Sequence, residues 1–151
     1  MYQIIDGKKI SQEIKDELRE TAAGMNARGI KRCLAVILVG DDPASAVYVR
    51  NKRKACEYIG IESLTYEMPA EGTEEELLAL IGELNGRSDV NGILVQLPLP
   101  AHMDEDRIVT AIAPEKDVDG FHPVNVGNLS IGRPGFVSCT PAGIIQLLKR
   151  S

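Results

Sequence analysis

Three short stretches hold the residues whose types and spacing could do chemistry. Tyr48-Val-Arg-Asn-Lys52 sets a phenol and an amine four residues apart, which is one face of a helix. Val95-Gln-Leu-Pro-Leu-Pro100 ends an apolar run with an amide and two prolines. The prolines remove backbone donors and stiffen the segment into a rigid wall. Lys116-Asp-Val-Asp-Gly-Phe-His-Pro123 supplies two carboxylates, Asp117 and Asp119, on a loop punctuated by glycine and proline. An amine beside a phenol and an amide can give or take a proton, and partial loss of water makes it easier to neutralise. A carboxylate suits the amidine-like edge of a heterocycle. Each feature also has a plain reading. Lys52 sits among the solvated cations of Arg50-Asn-Lys-Arg-Lys54, the prolines can simply end a strand, and Asp117 to Gly120 can be an Asx turn.

The elements that would position these groups alternate between strand and helix. Ser11 to Arg28 has Ile14, Leu18, Ala22 and Met25 at helical spacing, with Gly29 as its stop. Leu34 to Val39 is a continuous apolar run closed by Gly40-Asp-Asp-Pro43, as expected of a strand covered on both faces. Asp42 then caps a helix with Pro43 in its first turn, ending near Ile59 at Gly60. Ile61 to Glu67 is a second strand. Thr73 and Glu76 have capping-box spacing ahead of the apolar face Leu77, Leu80, Ile81 and Leu84. Ile93 to Val95 is a third strand and Asp104 to Ala113 a short helix. From Pro114 to Gly135 the four glycines and three prolines predict loop. Thr140-Pro141 opens a last helix, with the threonine as cap. The order predicts an α/β fold: three layers, with a mostly parallel sheet and flanking helices. Ligands bind such sheets beyond the carboxyl ends of the strands, which puts Tyr48, Lys52 and Gln96 near one edge.

Composition narrows the function classes. With 151 residues, the chain has the size of one domain, and 44% hydrophobic residues suffice for a packed core. A net charge of -5 argues against nucleic acid or anionic membranes as partners. The absence of Trp, with 4% aromatics, leaves no base-stacking platform. Three dispersed cysteines, Cys33, Cys56 and Cys139, read as reduced thiols of a cytoplasmic protein. Met1 to Ile10 shows no apolar signal core. His102 and His122 are too isolated to hold a metal, and the aspartates at 117 and 119 lack the further oxygen ligands a hard cation needs. Tyr-x-x-x-Lys also occurs in short-chain dehydrogenases, but their glycine-rich N-terminal turn is missing. Gly127 to Pro134 fails as a phosphate loop at its Lys-Ser/Thr positions.

Taken together, Val39-Gly-Asp-Asp-Pro-Ala-Ser45 with Tyr48 to Lys52, Gly92 to Pro100, Pro114 to Leu129 and Cys139-Thr-Pro-Ala-Gly143 resemble the bifunctional methylenetetrahydrofolate dehydrogenase/methenyltetrahydrofolate cyclohydrolase family, FolD, over essentially the whole chain. The resemblance implies a folate-binding catalytic domain spanning 1–151. Lys52 would be the central catalytic group, with Gln96 against it and helping to hold it neutral. Tyr48 would stack on the folate and help place the proton, and Asp119 would bind the amino-pyrimidine edge of the pterin. Ser45 would support the site, Leu97 and Pro98 would form its wall, and Pro141 its far side. The resemblance also implies NADP as cofactor, held by a second domain that this chain is expected to lack. It implies a homodimer too, with contacts largely in that second domain, so association of this chain is expected to be weak or altered. The alternative from another class is a non-catalytic folate-binding module. A further rival is the substrate domain of another split dehydrogenase, where the Lys116 to Pro123 loop is not expected.

Overall fold

The computed structural model describes residues 4–151. The reading of Met1 to Ile10 as free of a signal core rests partly on residues 1–3, which lie outside the described residues. Nine elements follow in order: α1 (Gly7–Ala27), β1 (Cys33–Val39), α2 (Pro43–Ile59), β2 (Glu62–Met68), α3 (Glu74–Gly86), β3 (Gly92–Val95), α4 (Glu105–Ala111), α5 (Pro123–Ser130) and α6 (Cys139–Lys149). The strands form a parallel sheet in the order β2-β1-β3. β1 is central, and its two faces are buried by different helices. Cys33, Ala35, Ile37 and Val39 pack with Leu77, Ile81 and Leu84 of α3 and Ile108 of α4. Val36 and Leu38 face the other way, with Val49 of α2 and Leu94 of β3. Coverage on both sides is why β1 reads as an unbroken apolar run rather than an alternation. The fold is thus a three-layer α/β sandwich, as the alternating pattern predicts. No helix among the described residues is long and apolar enough to cross a membrane.

The helix ends explain themselves. The Asp42 carboxylate accepts from Ser45 N at 2.7 Å, Pro43 opens α2, and Gly60 ends it at φ 87°, a left-handed value that glycine adopts freely. Thr73 and Glu76 form a reciprocal capping box at 2.8 and 3.2 Å.

Three expectations need correction. α1 starts at Gly7, not Ser11, because the Asp6 carboxylate caps Lys8 N and Lys9 N ahead of the apolar periodicity. The 114–135 stretch is not all loop: α5 runs through it, with the His122 ring nitrogen capping Val124 N at 3.1 Å and Pro123 in the first turn. α6 begins at Cys139 with Ser138 at the cap position, so Thr140 lies inside the first turn and caps nothing.

Candidate functional site

Parallel strand order brings the carboxyl end of β1 beside that of β3. Ile37 pairs with Val95, and Gln96 N donates to Ile37 O at 2.8 Å, fixing the residue that follows β3 against the strand that feeds α2. The Gln96 side chain is fixed as well. Its Nε2 donates to Leu97 O at 2.7 Å, which leaves Oε1 to accept from Lys52 Nζ at 3.0 Å. Lys52 comes from the third turn of α2 and is half-buried; Tyr48, one turn earlier, is 62% exposed at the mouth. An amide oxygen accepts an N–H from ammonium and from amine alike. Unlike a carboxylate, it does not lock the charge on.

Asp119 joins the group by lying within reach of the Lys52 charge. Burial pushes its carboxyl above the ordinary aspartate value. The nearby Asp117 charge adds to this, while Lys52 and the Cys139 thiol oppose it. Cys139 stands at the start of α6, with its Sγ 3.7 Å from Val118 O. As a residue it is exposed, yet its thiol is turned toward this loop. Loss of water there pushes the thiol up, the Asp119 charge pushes further, and Lys52 opposes. The cluster is therefore an amine, an amide oxygen, a carboxylate, a thiol and, at its edge, a phenol.

The two carboxylates of the loop, Asp117 and Asp119, have different surroundings. Residues 114–119 turn sharply, and Asp117, only 2% exposed, points inward. Its Oδ2 accepts from His122 N at 2.8 Å and Asn125 Nδ2 at 2.9 Å, so it staples the loop to α5. Of the remaining expected residues, Leu97 is half-buried directly after Gln96, and Pro98 follows it through a cis peptide and is exposed. Ser45 is 4% exposed in the first turn of α2, where its contacts are with Asp42 rather than with Lys52 or Gln96. Pro141 is exposed in the first turn of α6, two residues past Cys139. The structure therefore brings Lys52, Gln96 and Asp119 together with Tyr48 beside them. It leaves Ser45 and Pro141 at the margins. Cys139 belongs to the group as well, whereas the Lys116 ammonium lies away from it, on the backbone carbonyls at the end of α3. The sequence marks Cys139 only as one of three dispersed thiols, and nothing in the spacing of Lys116 announces where its side chain goes.

Two other features bear on ligands. An apolar concavity of about 730 Å³ lies between α1 and α6, lined by Ile10, Ile14, Leu18, Val137 and Leu147; of the cluster it shares only Cys139. The titratable and hydrogen-bonding groups named above gather at the carboxyl ends of β1 and β3, so chemistry belongs there and not in the apolar concavity. The β1–α2 turn is where a dinucleotide pyrophosphate would sit in a parallel α/β sheet. Here it is Gly40-Asp-Asp-Pro43, and the Asp42 carboxylate already takes the helix N-terminal N–H of Ser45. Two carboxylates and a single glycine do not fit that group. Among the described residues no cluster of three or more His, Cys, Asp or Glu is arranged to hold a metal.

Comparison with known proteins gives one answer. The family model for the catalytic domain of tetrahydrofolate dehydrogenase/cyclohydrolase matches residues 5–119. The bifunctional protein FolD of Agathobacter rectalis is 64% identical over 151 residues, covering 100% of this chain and 54% of that protein. FolD of Lachnoclostridium phytofermentans is 65% identical with the same coverage. The crystal structure of the Campylobacter jejuni bifunctional enzyme FolD superposes with a TM-score of 0.96 at 54% identity, over 98% of this chain and 53% of that one. The Trypanosoma brucei enzyme, solved with NADP and an inhibitor, gives 0.94 at 38% identity, over 98% and 51%. The chain spans about half the length of the curated relatives it matches. By fold, by motif and by the family model, it belongs to the tetrahydrofolate dehydrogenase/cyclohydrolase family.

Proposed function

We propose that this chain is the folate-binding catalytic domain of a bifunctional methylenetetrahydrofolate dehydrogenase/methenyltetrahydrofolate cyclohydrolase. The observation that carries the reading is the 3.0 Å contact from Lys52 Nζ to Gln96 Oε1, with the partly buried Asp119 carboxyl within reach of the Lys52 charge. In the hydrolytic step, water adds to the electrophilic methenyl carbon, and the carbon–N5 bond then breaks to leave 10-formyl-tetrahydrofolate. Both protons leave the water oxygen as it becomes the formyl oxygen: one is delivered to N5 and the other is released. Lys52 is placed to exchange both, with Gln96 orienting the amine without pinning its charge. Tyr48 provides an aromatic face for the folate ring system. Asp119 accepts from the donor edge of the amino-pyrimidine, an interaction that desolvation strengthens.

The oxidative step needs a hydride acceptor, and the bound NADP of the Trypanosoma brucei enzyme supplies the precedent. NADP would take the hydride of 5,10-methylene-tetrahydrofolate in the complete protein, seated by residues other than the acidic β1–α2 turn. The substrate partner is thus a small-molecule folate. A cytoplasmic location and a homodimeric complete enzyme belong to the same reading.

Hydrolysis of 5,10-methenyl-tetrahydrofolate, followed by loss of its absorbance, tests this. Lys52→Met should lower kcat by about 10²–10⁴, the usual contribution of a general acid–base group. Gln96→Glu should lower it too, by pairing the ammonium with a carboxylate. Equal rates for wild type and Lys52→Met would remove Lys52 from the chemistry. Folate binding without turnover would make the chain a non-catalytic folate module.

A further inference from the structure

The loop that carries Asp119 is fastened at each neighbouring residue, leaving the Asp119 side chain as the group presented to the cleft. Lys116 supplies the most unusual fastening. Its Nζ donates to Leu84 O at 2.9 Å, Asn85 O at 2.8 Å and Arg87 O at 2.7 Å. These carbonyls lie at the end of α3, where helical partners run out and the negative pole of the helix favours a cation. An ammonium has three donors, and here all three are used. The Lys116 backbone is tied as well: its oxygen accepts from Ile93 N at 2.8 Å, and its N–H donates to Ala113 O at 2.7 Å. Asp117 is stapled to α5. Val118 abuts β3, where a Cβ added at Gly92 would stand 2.5 Å from Val118 Cγ1. Gly120, at φ +69°, leaves no room for a Cβ, which would meet Ser138 N at 2.8 Å and Val137 C at 2.9 Å.

We propose that Lys116 is a positioning residue for Asp119: its clamp on the carboxyl end of α3 holds the loop so that the Asp119 carboxylate faces Lys52. The clamp works through the backbone, since Lys116 is not among the charges that act on Asp119. Its effect on ligand rests on the reading of Asp119 as the pterin-binding carboxylate.

The test follows the ¹³C shift of the Asp119 carboxyl against pH in the folded chain. Lys116→Met keeps the aliphatic stem and removes the three donors. The Asp119 midpoint should fall toward the ordinary aspartate value as the carboxylate swings into water. Simple loss of a distant cation would move it up, so the sign separates the two causes. Thr73→Ala is the control. It removes the cap at the other end of α3 and should lower thermal stability while leaving the midpoint in place. Lys116→Arg should restore part of the shift, because a guanidinium keeps donors within the same set of carbonyls. If Lys116→Met does not fold, Lys116→Gln gives the same readout. An unchanged midpoint in folded Lys116 variants overturns the proposal, as does an equal displacement in Thr73→Ala. Folic acid binding forms a separate arm. Its Kd should rise about tenfold in Lys116→Met, the worth of one hydrogen bond to a charged group. Failure of the wild-type chain to bind would sink the reading of the site and leave the carboxyl titration to decide Lys116. Wild-type binding with an unchanged Kd in Lys116→Met would overturn the role of Lys116 toward the ligand.

Discussion

At the scale of single residues, the cleft holds a carboxyl that is costly to ionise. Asp119 titrates higher in the folded chain than in the unfolded one, chiefly because burial strips its water, with Asp117 adding repulsion and Lys52 only partly compensating. The folded state binds more protons between the ordinary aspartate value and the raised one. The stability this gives is fully present below the ordinary value and is lost as pH rises through the raised one. Asp119→Asn should therefore match wild type in Tm at acid pH and exceed it at neutral pH, with the gap opening across that window. Calorimetry of both proteins over a pH series measures it. A gap independent of pH would mean that Lys52 and desolvation cancel, and a wild type whose advantage grows toward neutral pH would mean that Lys52 outweighs desolvation. The expected pattern is that of a group kept for function at a cost in stability.

At the scale of elements, what was legible in the sequence was whatever is local. Asp42-Pro43, Thr73 with Glu76, and Gly60 set the ends of α2 and α3 because a cap is made by neighbours in the chain. The four-residue spacing of Tyr48 and Lys52, and the place of Gln96 at a strand end, gave three members of the cluster for the same reason. His122-Pro123 repeats the Asp42-Pro43 pattern, yet α5 went unread because the glycines and prolines around it signal turns more strongly. The fastening of Lys116 to α3 was not legible at all, since it depends on where a distant helix ends in space. The contact of β3 with the Asp119 loop is of this kind too, and Gly92 is its sensitive point. Gly92→Ala would drive a methyl into Val118 Cγ1 at 2.5 Å and crowd Leu34 Cδ1 at 3.3 Å. Valine is stiff at χ1 and cannot step aside, so the strand and the loop must part. The expected cost is about 1–3 kcal/mol, read as a lower denaturant midpoint, together with weaker folic acid binding. Val118→Ala in the same chain should recover most of both, and a double-mutant cycle measures the coupling. Additive effects of the two changes would show that the contact does not hold the loop.

At the scale of the whole molecule, packing is uneven. β1, α3 and β3 hold the fully buried side chains Ile37, Leu77, Ile81, Leu84 and Ile93, whereas α6 buries none of its residues. Ile144, Ile145 and Leu148 remain about half exposed on α6. The bidentate contact of Arg150 with Glu17, at 2.6 and 2.8 Å, is a principal tie between α6 and α1, across the apolar concavity described above. Few buried contacts mean a low local opening free energy. Amide hydrogen exchange should therefore find Cys139–Lys149 opening well before β1 or α3. Arg150→Ala should speed exchange in α6 by about two- to fivefold, the modest effect of an exposed ion pair, and leave β1 unchanged. High salt should reproduce part of that effect in the wild type, because exposed charges are screened. Since Cys139 leads α6 and its thiol lies against Asp119, each opening of α6 also uncovers the carboxylate. Folic acid, if it closes over Asp119, should then slow exchange at the first turn of α6 more than at its last. Uniform exchange across α6 and α3, with no response to Arg150→Ala, would place α6 inside the same cooperative unit as the core and detach its motion from the site.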